Sequence, residues 1–201
     1  MSQKHIQNTE TPRSLSLGIV LILTGIVGWI SSFQLTLDKL KYLADPNAVL
    51  SCNFGLTVQC GANLNSAQGE LFGFPNPLLG IAAFIVPILF GVLVLAKARI
   101  PRWIWLGFNL GVALGFIWVL WFAYQSIYIL ASLCPWCMTM WLAMIPLFYT
   151  VTFWNLKAGH FGEGLRKIGK ELYTWTWVFT VVSYFVIALL AQLELDVINR
   201  L

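Results

Sequence analysis

The chain has few charged side chains, and long stretches of it have none. Only 10% of its 201 residues are charged, whereas 59% are hydrophobic. No Asp, Glu, Lys or Arg occurs in residues 14–37, 71–96, 103–156 and 172–193. A bilayer-spanning helix needs about 20 predominantly apolar residues, whereas a soluble helix needs a polar face. The pattern excludes an ordinary soluble domain and predicts an all-α integral membrane protein.

The uncharged stretches predict five transmembrane helices. Three stretches hold one span each, and residues 103–156 are long enough for two spans that divide at Cys134-Pro135. The first span is expected to be retained, because it is too long for a signal-peptide core and lacks a small-residue cleavage site. The predicted spans are residues 15–37, 77–97, 102–130, 135–156 and 172–194.

The basic residues predict the orientation of these spans. Nine of the 12 Lys and Arg residues fall on the side of the N-terminus, which the positive-inside rule places in the cytoplasm. The net charge of +4 therefore reflects membrane topology and requires no nucleic-acid partner. The predicted organisation is a cytoplasmic tail at 1–13, a four-helix bundle at 14–156 with an outer loop at 38–76, a cytoplasmic loop at 157–171, and a fifth transmembrane helix with a short outer tail at 172–201.

All four cysteines fall on the predicted outer side, where disulfides persist. They are Cys52 and Cys60 in the loop and Cys134 and Cys137 at the start of span four. We predict no metal site, because both histidines lie on the opposite side and the C-x7-C spacing is loose for zinc. Two structural disulfides are an alternative, but a C-x-x-C bridge closes too short a loop to stabilise much, and such pairs are more often redox-active.

The spacing around the C-x-x-C predicts a pair of thiols at a helix tip. Pro135 suits the first helical position, so Cys134 becomes the cap and Cys137 lies one turn further in on the same face. A helix N-terminus stabilises thiolates. We therefore expect a relay, in which one thiol receives electrons from outside and the other passes them to a quinone in the membrane.

The outer loop and the start of span two contain further candidates. Asn76 is expected to cap span two with its side-chain oxygen while its NH2 group donates to a quinone carbonyl. Ser66 is either a cap or a ligand contact. Aromatic residues that we expect near a quinone are Phe72, Phe74, Trp118, Phe122 and Trp141. Glycines at i, i+4 spacing, which predict helix packing, are Gly107, Gly111 and Gly115.

Three features in this order resemble bacterial homologues of vitamin K epoxide reductase (VKOR). They are Cys52-x7-Cys60, the segment LFGFPNPLLG entering span two, and Cys134-Pro135-Trp136-Cys137. The resemblance covers about residues 15–156, and it implies a four-helix bundle around a quinone plus the fifth helix of bacterial members. DsbB-type oxidoreductases have the two cysteine pairs in the reverse order, so the VKOR-like interpretation is preferred.

The resemblance implies a disulfide-forming enzyme of the cell inner membrane. Cys134 and Cys137 match the active-site pair, and Cys52 and Cys60 match the shuttle pair, with Cys60 expected to contact Cys134. Asn76 matches a quinone-contacting asparagine and Ser66 a polar loop serine. The expected electron acceptor is menaquinone or ubiquinone. Because the chain stops at Leu201, the expected thiol partner is a separate DsbA-like thioredoxin-fold protein.

The resemblance also has one departure. Trp141 stands where vertebrate members have a tyrosine, so reduction of vitamin K epoxide is not expected. It stays an alternative, as does a non-enzymatic membrane protein with structural disulfides.

Overall fold

The computed structural model describes residues 15–53, 55 and 57–197, and this part of the chain is almost entirely helical. The predicted tail at 1–13 and the last residues of the outer tail lie outside it. Five of the helices are long and apolar enough to cross a membrane, which confirms the predicted all-α membrane fold. The helices are α1 (Leu15–Ala44), α2 (Gly61–Leu64), a 3-10 turn (Ala67–Glu70), α3 (Pro77–Leu95), α4 (Arg102–Tyr124), a π-helical turn (Gln125–Ile129), α5 (Pro135–Ala158), α6 (Glu163–Thr174) and α7 (Thr176–Leu195).

Two span boundaries differ from the predicted ones by more than two residues. Helix α1 continues beyond residue 37 to Ala44, because Asp38 and Lys39 are buried beneath the outer loop and find polar partners there. The fifth span begins at Thr176 rather than at 172, since the preceding α6 is a separate amphipathic helix. The first charged residue after an apolar run therefore does not mark the end of its helix.

Helix α5 is the centre of the bundle, and α1, α4, α6 and α7 all pack against it. Helix α1 also packs along α3, and glycines bring these two helices close together. A Cβ added to Gly25 would lie 3.1 Å from the carbonyl oxygen of Phe84, and one added to Gly91 would lie 2.8 Å from that of Gly18. Small residues of this kind allow the close backbone approach that stabilises helix pairs in membranes.

The glycines of α4 have a different role from the predicted one. A Cβ added to Gly107 or Gly111 would meet no atom within 4 Å, and only Gly115 lies against a neighbour, Met144. The prediction of helix packing is therefore wrong for Gly107 and Gly111. They line a cavity that separates α4 from α3.

Candidate active site

A short stretch of backbone pairing joins the outer loop to the start of α5. Val58 forms a parallel bridge with Leu133, in which Gln59 N donates to Leu133 O over 3.0 Å and Leu133 N donates to Thr57 O over 2.8 Å. Cys60 follows Val58 by two residues, and Cys134 follows Leu133 by one. The register of the bridge therefore carries the two cysteines to the same place.

The sulfur atoms at this place form a short series. Cys52 and Cys60 are joined in a disulfide, whereas Cys134 and Cys137 are free thiols. The Sγ atoms of Cys60 and Cys134 are 2.9 Å apart, so Cys60 is the loop cysteine that contacts the helix tip. All three sulfurs of Cys52, Cys60 and Cys134 lie within 4.8 Å of one another. A metal would need thiolates there, and two of the three sulfurs are bonded to each other.

Cys134 occupies the N-cap position of α5. Its backbone is extended, with φ −91° and ψ 120°, and Pro135 follows at the first helical position. The backbone N–H of Cys137 donates to Cys134 Sγ over 3.4 Å. An N–H donor and the positive end of the helix dipole therefore both point at this sulfur.

Cys137 faces a cavity of about 690 Å³ between α3, α4 and α5, whereas Cys134 does not line it. The lining is predominantly apolar, as in most sites that bind a small organic molecule. Five of the seven predicted quinone contacts line this cavity, namely Phe72, Asn76, Trp118, Phe122 and Trp141. Cys137 is thus the sulfur through which the thiol series reaches the cavity.

The other two predicted contacts, Ser66 and Phe74, do not line the cavity. Ser66 Oγ accepts a hydrogen bond from Gly69 N and donates one to Asn63 O, so it caps the 3-10 turn. The ring of Phe74 is 40% exposed and stacks on Phe72 at a centroid distance of 6.2 Å. Phe72 in turn stacks on Trp118 of α4 at 5.5 Å, and both residues line the cavity.

Asn76 is oriented differently from the expected cap. Its own backbone is helical, its side chain makes no cap bond, and its Nδ2 donates to Gln68 O over 2.6 Å. Its Oδ1 is buried and has no hydrogen-bond partner among the described residues. A buried acceptor without a partner costs free energy, so it marks a place for a donor from a bound molecule.

The charged residues at the end of α1 nearest the cysteines were not predicted to belong to the site. The three N–H bonds of the Lys39 ammonium group match three acceptors, Leu64 O at 2.9 Å, Asn65 Oδ1 at 3.1 Å and Glu70 Oε1 at 2.8 Å. Lys39 therefore anchors α2, the helix that begins directly after Cys60. Two basic residues at the end of an apolar span are ordinary in sequence, so nothing distinguished this one.

Asn63 and Ser126 were missed as well. Asn63 Nδ2 donates to Ser132 O over 3.1 Å, and Ser126 Oγ donates to Asn63 Oδ1 over 2.9 Å. Both side chains are fully buried or nearly so, at 1% and 0% exposed. They join α2 to the connection between α4 and α5, and so they hold Cys60 against Cys134.

Comparison with known proteins places this arrangement in context. The model of the vitamin K epoxide reductase family matches residues 19–152, which is more than half of the chain and includes all four cysteines. No curated protein matches the chain.

Proposed function

The chain belongs to the vitamin K epoxide reductase family, and on that premise we propose that it is a quinone-dependent thiol–disulfide oxidoreductase. The family makes it an oxidoreductase, and its five apolar spans make it a multi-pass membrane protein. One observation carries the proposal. The four sulfur atoms form a continuous series. The Cys52–Cys60 disulfide comes first, Cys134 Sγ lies 2.9 Å from Cys60 Sγ, and Cys137 lines the cavity.

Electrons enter, in this proposal, from a DsbA-like thioredoxin-fold dithiol at the outer loop. The loop disulfide is buried, since Cys52 is 1% and Cys60 is 0% exposed. The residues around Cys52 are open, because Ser51 and Asn53 are exposed and Val49 is 87% exposed. The partner therefore has to displace residues 49–53 before its thiolate reaches Cys52.

Two exchange steps then move the electrons from the loop to the helix tip. The Cys60 thiolate attacks Cys134 Sγ of a Cys134–Cys137 disulfide, and Cys137 leaves. Cys52 next attacks Cys60 Sγ, which closes the loop disulfide and releases the Cys134 thiolate beside the N–H of Cys137. The described state, with the loop disulfide closed and both helix-tip thiols free, corresponds to the product of these steps.

The cavity fits a quinone by its size and its chemistry. Its volume of about 690 Å³ lies within the ordinary range of ligand pockets, and its walls are apolar and aromatic. A quinone bound there would accept two electrons and two protons. The second N–H of Asn76 Nδ2 would donate to a quinone carbonyl, and Asn76 Oδ1 would accept from a hydroxyl of the quinol. Trp118 and Trp141 would enclose the ring, and Cys137 would face it.

The proposed location is a cell inner or plasma membrane with the cysteines on the outer side. The excess of Lys and Arg at the opposite ends of the spans supports this orientation. The outer side is oxidising, so the activity would support disulfide formation in exported proteins.

Quinol formation tests the proposal. The purified protein is mixed with a reduced DsbA-like dithiol and with menaquinone or ubiquinone, and quinol is followed by its absorbance. We expect turnover by the wild-type chain and none by Cys137→Ser, since the last sulfur before the cavity is missing. A matched control is Leu142→Ser, on the exposed face of the same helix, which should turn over normally.

Two results would count against the proposal. One is normal quinol formation by Cys137→Ser, and the other is its absence from the wild-type protein with either quinone. Alkylation of free thiols tests the alternative of structural disulfides. A relay should accumulate free thiols when quinone is withheld, whereas structural disulfides stay closed. Vitamin K epoxide as the oxidant in the same assay tests the other alternative.

A further inference from the structure

A buried carboxylate lies beside the first sulfur of the series. Asp38, near the outer end of α1, is 0% exposed, and its Oδ2 lies 3.5 Å from Cys52 Sγ. Ser51 holds this carboxylate in place, with Oγ donating to Oδ2 over 2.6 Å and the backbone N–H donating to Oδ1 over 3.4 Å. The side chain therefore has a defined position next to a reacting atom.

The charged neighbours do not neutralise Asp38 by a close contact. Lys41 Nζ is 3.9 Å from Oδ1 and its side chain is 55% exposed, so water screens this pair. Lys39 is adjacent in sequence, but its ammonium group is bound by Leu64 O, Asn65 Oδ1 and Glu70. Among the described residues, Asp38 Oδ2 has one short hydrogen bond, from Ser51 Oγ, and this buried acceptor lies next to Cys52.

The contact between Asp38 and Cys52 changes with the redox state of the loop. In the disulfide, Cys52 carries no proton, and the 3.5 Å contact is not a hydrogen bond. When Cys60 is instead bonded to Cys134, Cys52 is a free thiol with a proton to lose. The thiolate is the nucleophile in exchange, and an ordinary thiol with a pKa near 8.5 is only a few per cent ionised at neutral pH.

We propose that Asp38 is the catalytic base that removes the proton of Cys52 as Cys52 attacks Cys60, an inference that rests on the proposed function. The S–H proton passes to Asp38 Oδ2, a bond forms between Cys52 Sγ and Cys60 Sγ, and the bond between Cys60 Sγ and Cys134 Sγ breaks. The electron pair of the broken bond leaves on Cys134. Cys52 is oxidised and Cys134 is reduced, so no external oxidant takes part.

The same arrangement favours the forward direction of exchange. A carboxylate beside Cys52 repels a thiolate there, which favours the bonded form of Cys52. The N–H of Cys137, at 3.4 Å, and the positive end of the helix dipole lie beside the Cys134 sulfur, on which the electron pair is left. Electrons therefore move from the loop to the helix tip, away from the carboxylate and toward the cavity.

The test uses the Cys137→Ser background and needs neither quinone nor partner. Its three cysteines share one disulfide, and the step in question interconverts the Cys60–Cys134 and Cys52–Cys60 forms. After a jump from pH 5 to pH 7, the approach to the new distribution is stopped with acid. Mass spectrometry after alkylation of the unfolded protein then reports whether Cys134 or Cys52 carried the free thiol.

Asp38→Asn, which keeps the shape of the side chain, should slow the interconversion about 10- to 100-fold at pH 7. The remaining rate should rise about tenfold per pH unit toward the pKa of the thiol, because hydroxide then supplies the base. Asp45→Asn is the matched control, since Asp45 is exposed and caps the turn at Asn47 over 2.9 Å. It should leave both the rate and the pH profile unchanged.

A wild-type rate and pH profile in Asp38→Asn would overturn the proposal. A slower rate with an unchanged pH profile would overturn it too, since this is the result expected of a merely structural role. If Asp38→Asn does not fold, Asp38→Glu and Ser51→Ala take its place in the test. Both variants keep a carboxylate, so they should keep the wild-type pH profile. A steep rise of their rate with pH would contradict it. The quinol assay reports separately on the proposed function, because quinone is absent here.

Discussion

The two ends of the helical bundle both bury polar side chains, but only the outer end leaves reactive atoms beside them. At the outer end, Lys39 and Asn63 hold backbone and side-chain groups of the loop and of the α4–α5 connection. At the inner end, Asn155 Nδ2 donates to Asn109 Oδ1 over 3.1 Å, and Asn155 Oδ1 is 2.6 Å from His160 Nδ1. Arg102 Nε closes this group by donating to His160 O over 2.8 Å.

The hydrogen bonds at the outer end position reactive sulfur atoms, whereas those at the inner end hold helices together. The outer hydrogen bonds position Cys60 and Cys134, whose sulfurs face each other across 2.9 Å. The inner hydrogen bonds join α4, α5 and the turn before α6, and no cysteine lies there. Disrupting the outer end should therefore affect exchange, whereas disrupting the inner end should affect stability alone.

The largest effect is expected for Lys39→Met. This change leaves three acceptors around the ammonium site without their donor, and it releases α2 behind Cys60. Because Glu70 is 41% exposed, we expect a loss of about 2–3 kcal/mol rather than the full cost of a buried pair. The thermal midpoint should fall, and the rate of disulfide exchange between Cys60 and Cys134, measured by alkylation, should fall with it.

Lys41→Met is the control for that change, since Lys41 is 55% exposed on the same helix end. Its thermal midpoint should shift little, as for most surface substitutions. Equal losses from both variants would mean that the buried contacts of Lys39 contribute nothing specific.

Asn155→Leu should destabilise the protein by about 2 kcal/mol, because Asn109 and His160 both lose a buried partner. Quinol formation, measured below the thermal midpoint, should stay at the wild-type rate. A fall in turnover at a temperature where the protein is folded would show that the two ends are coupled, contrary to the comparison.

Asn76→Leu should raise the KM for quinone about fivefold, which corresponds to about 1 kcal/mol for one lost hydrogen bond. The steady-state rate of quinol formation over a range of quinone concentrations measures this change. Phe74→Leu should leave the KM unchanged, since the ring of Phe74 does not line the cavity. A raised KM in Phe74→Leu with an unchanged KM in Asn76→Leu would indicate that quinone binds nearer the loop.

The smallest effect is a dependence of stability on pH at the inner end. Burial, and then the positive charge of Arg102, lower the pKa of His160 below its usual value of 6.5. The unfolded chain therefore binds a proton at a higher pH than the folded protein does. The contribution of His160 is complete above about pH 6.5 and is lost as the pH falls through the lowered pKa.

Thermal midpoints in detergent at pH 7.5 and 5.5 measure this dependence. The wild-type protein should lose more stability between them than His160→Gln does, because the variant has no imidazole to protonate. A larger loss in the variant would reverse the sign of the prediction.

Much of the fold follows from composition, because a bilayer offers no hydrogen bonds to an unpaired backbone and so makes every long apolar run a helix. The spans beginning at Pro77, Arg102 and Pro135 were predictable at this level. The extension of α1 to Ala44 was not, since Asp38 and Lys39 become compatible with burial only through partners in the distant loop.

The candidate site divides in the same way. Its sulfur atoms could be named from spacing, since Cys134-Pro135 predicts a helix tip and Cys137 lies one turn further. The orientation of Asn76 could not, because it depends on the carbonyl of Gln68 in the folded loop. The open face of Gly107 and Gly111 could not either, because it depends on how far α3 stands from α4. The carboxylate beside Cys52 is equally a product of tertiary packing.

Local chemistry in the chain was thus enough to establish a membrane helix bundle and to predict that its four cysteines lie on one side. Which sulfurs touch was decided by the bridge between Val58 and Leu133 and by the hydrogen bonds of Lys39 and Asn63. Which residues are apolar enough for burial follows from composition and from the spacing of apolar residues along the chain. A 2.9 Å contact between residues 74 positions apart also requires that two distant segments pair in one register.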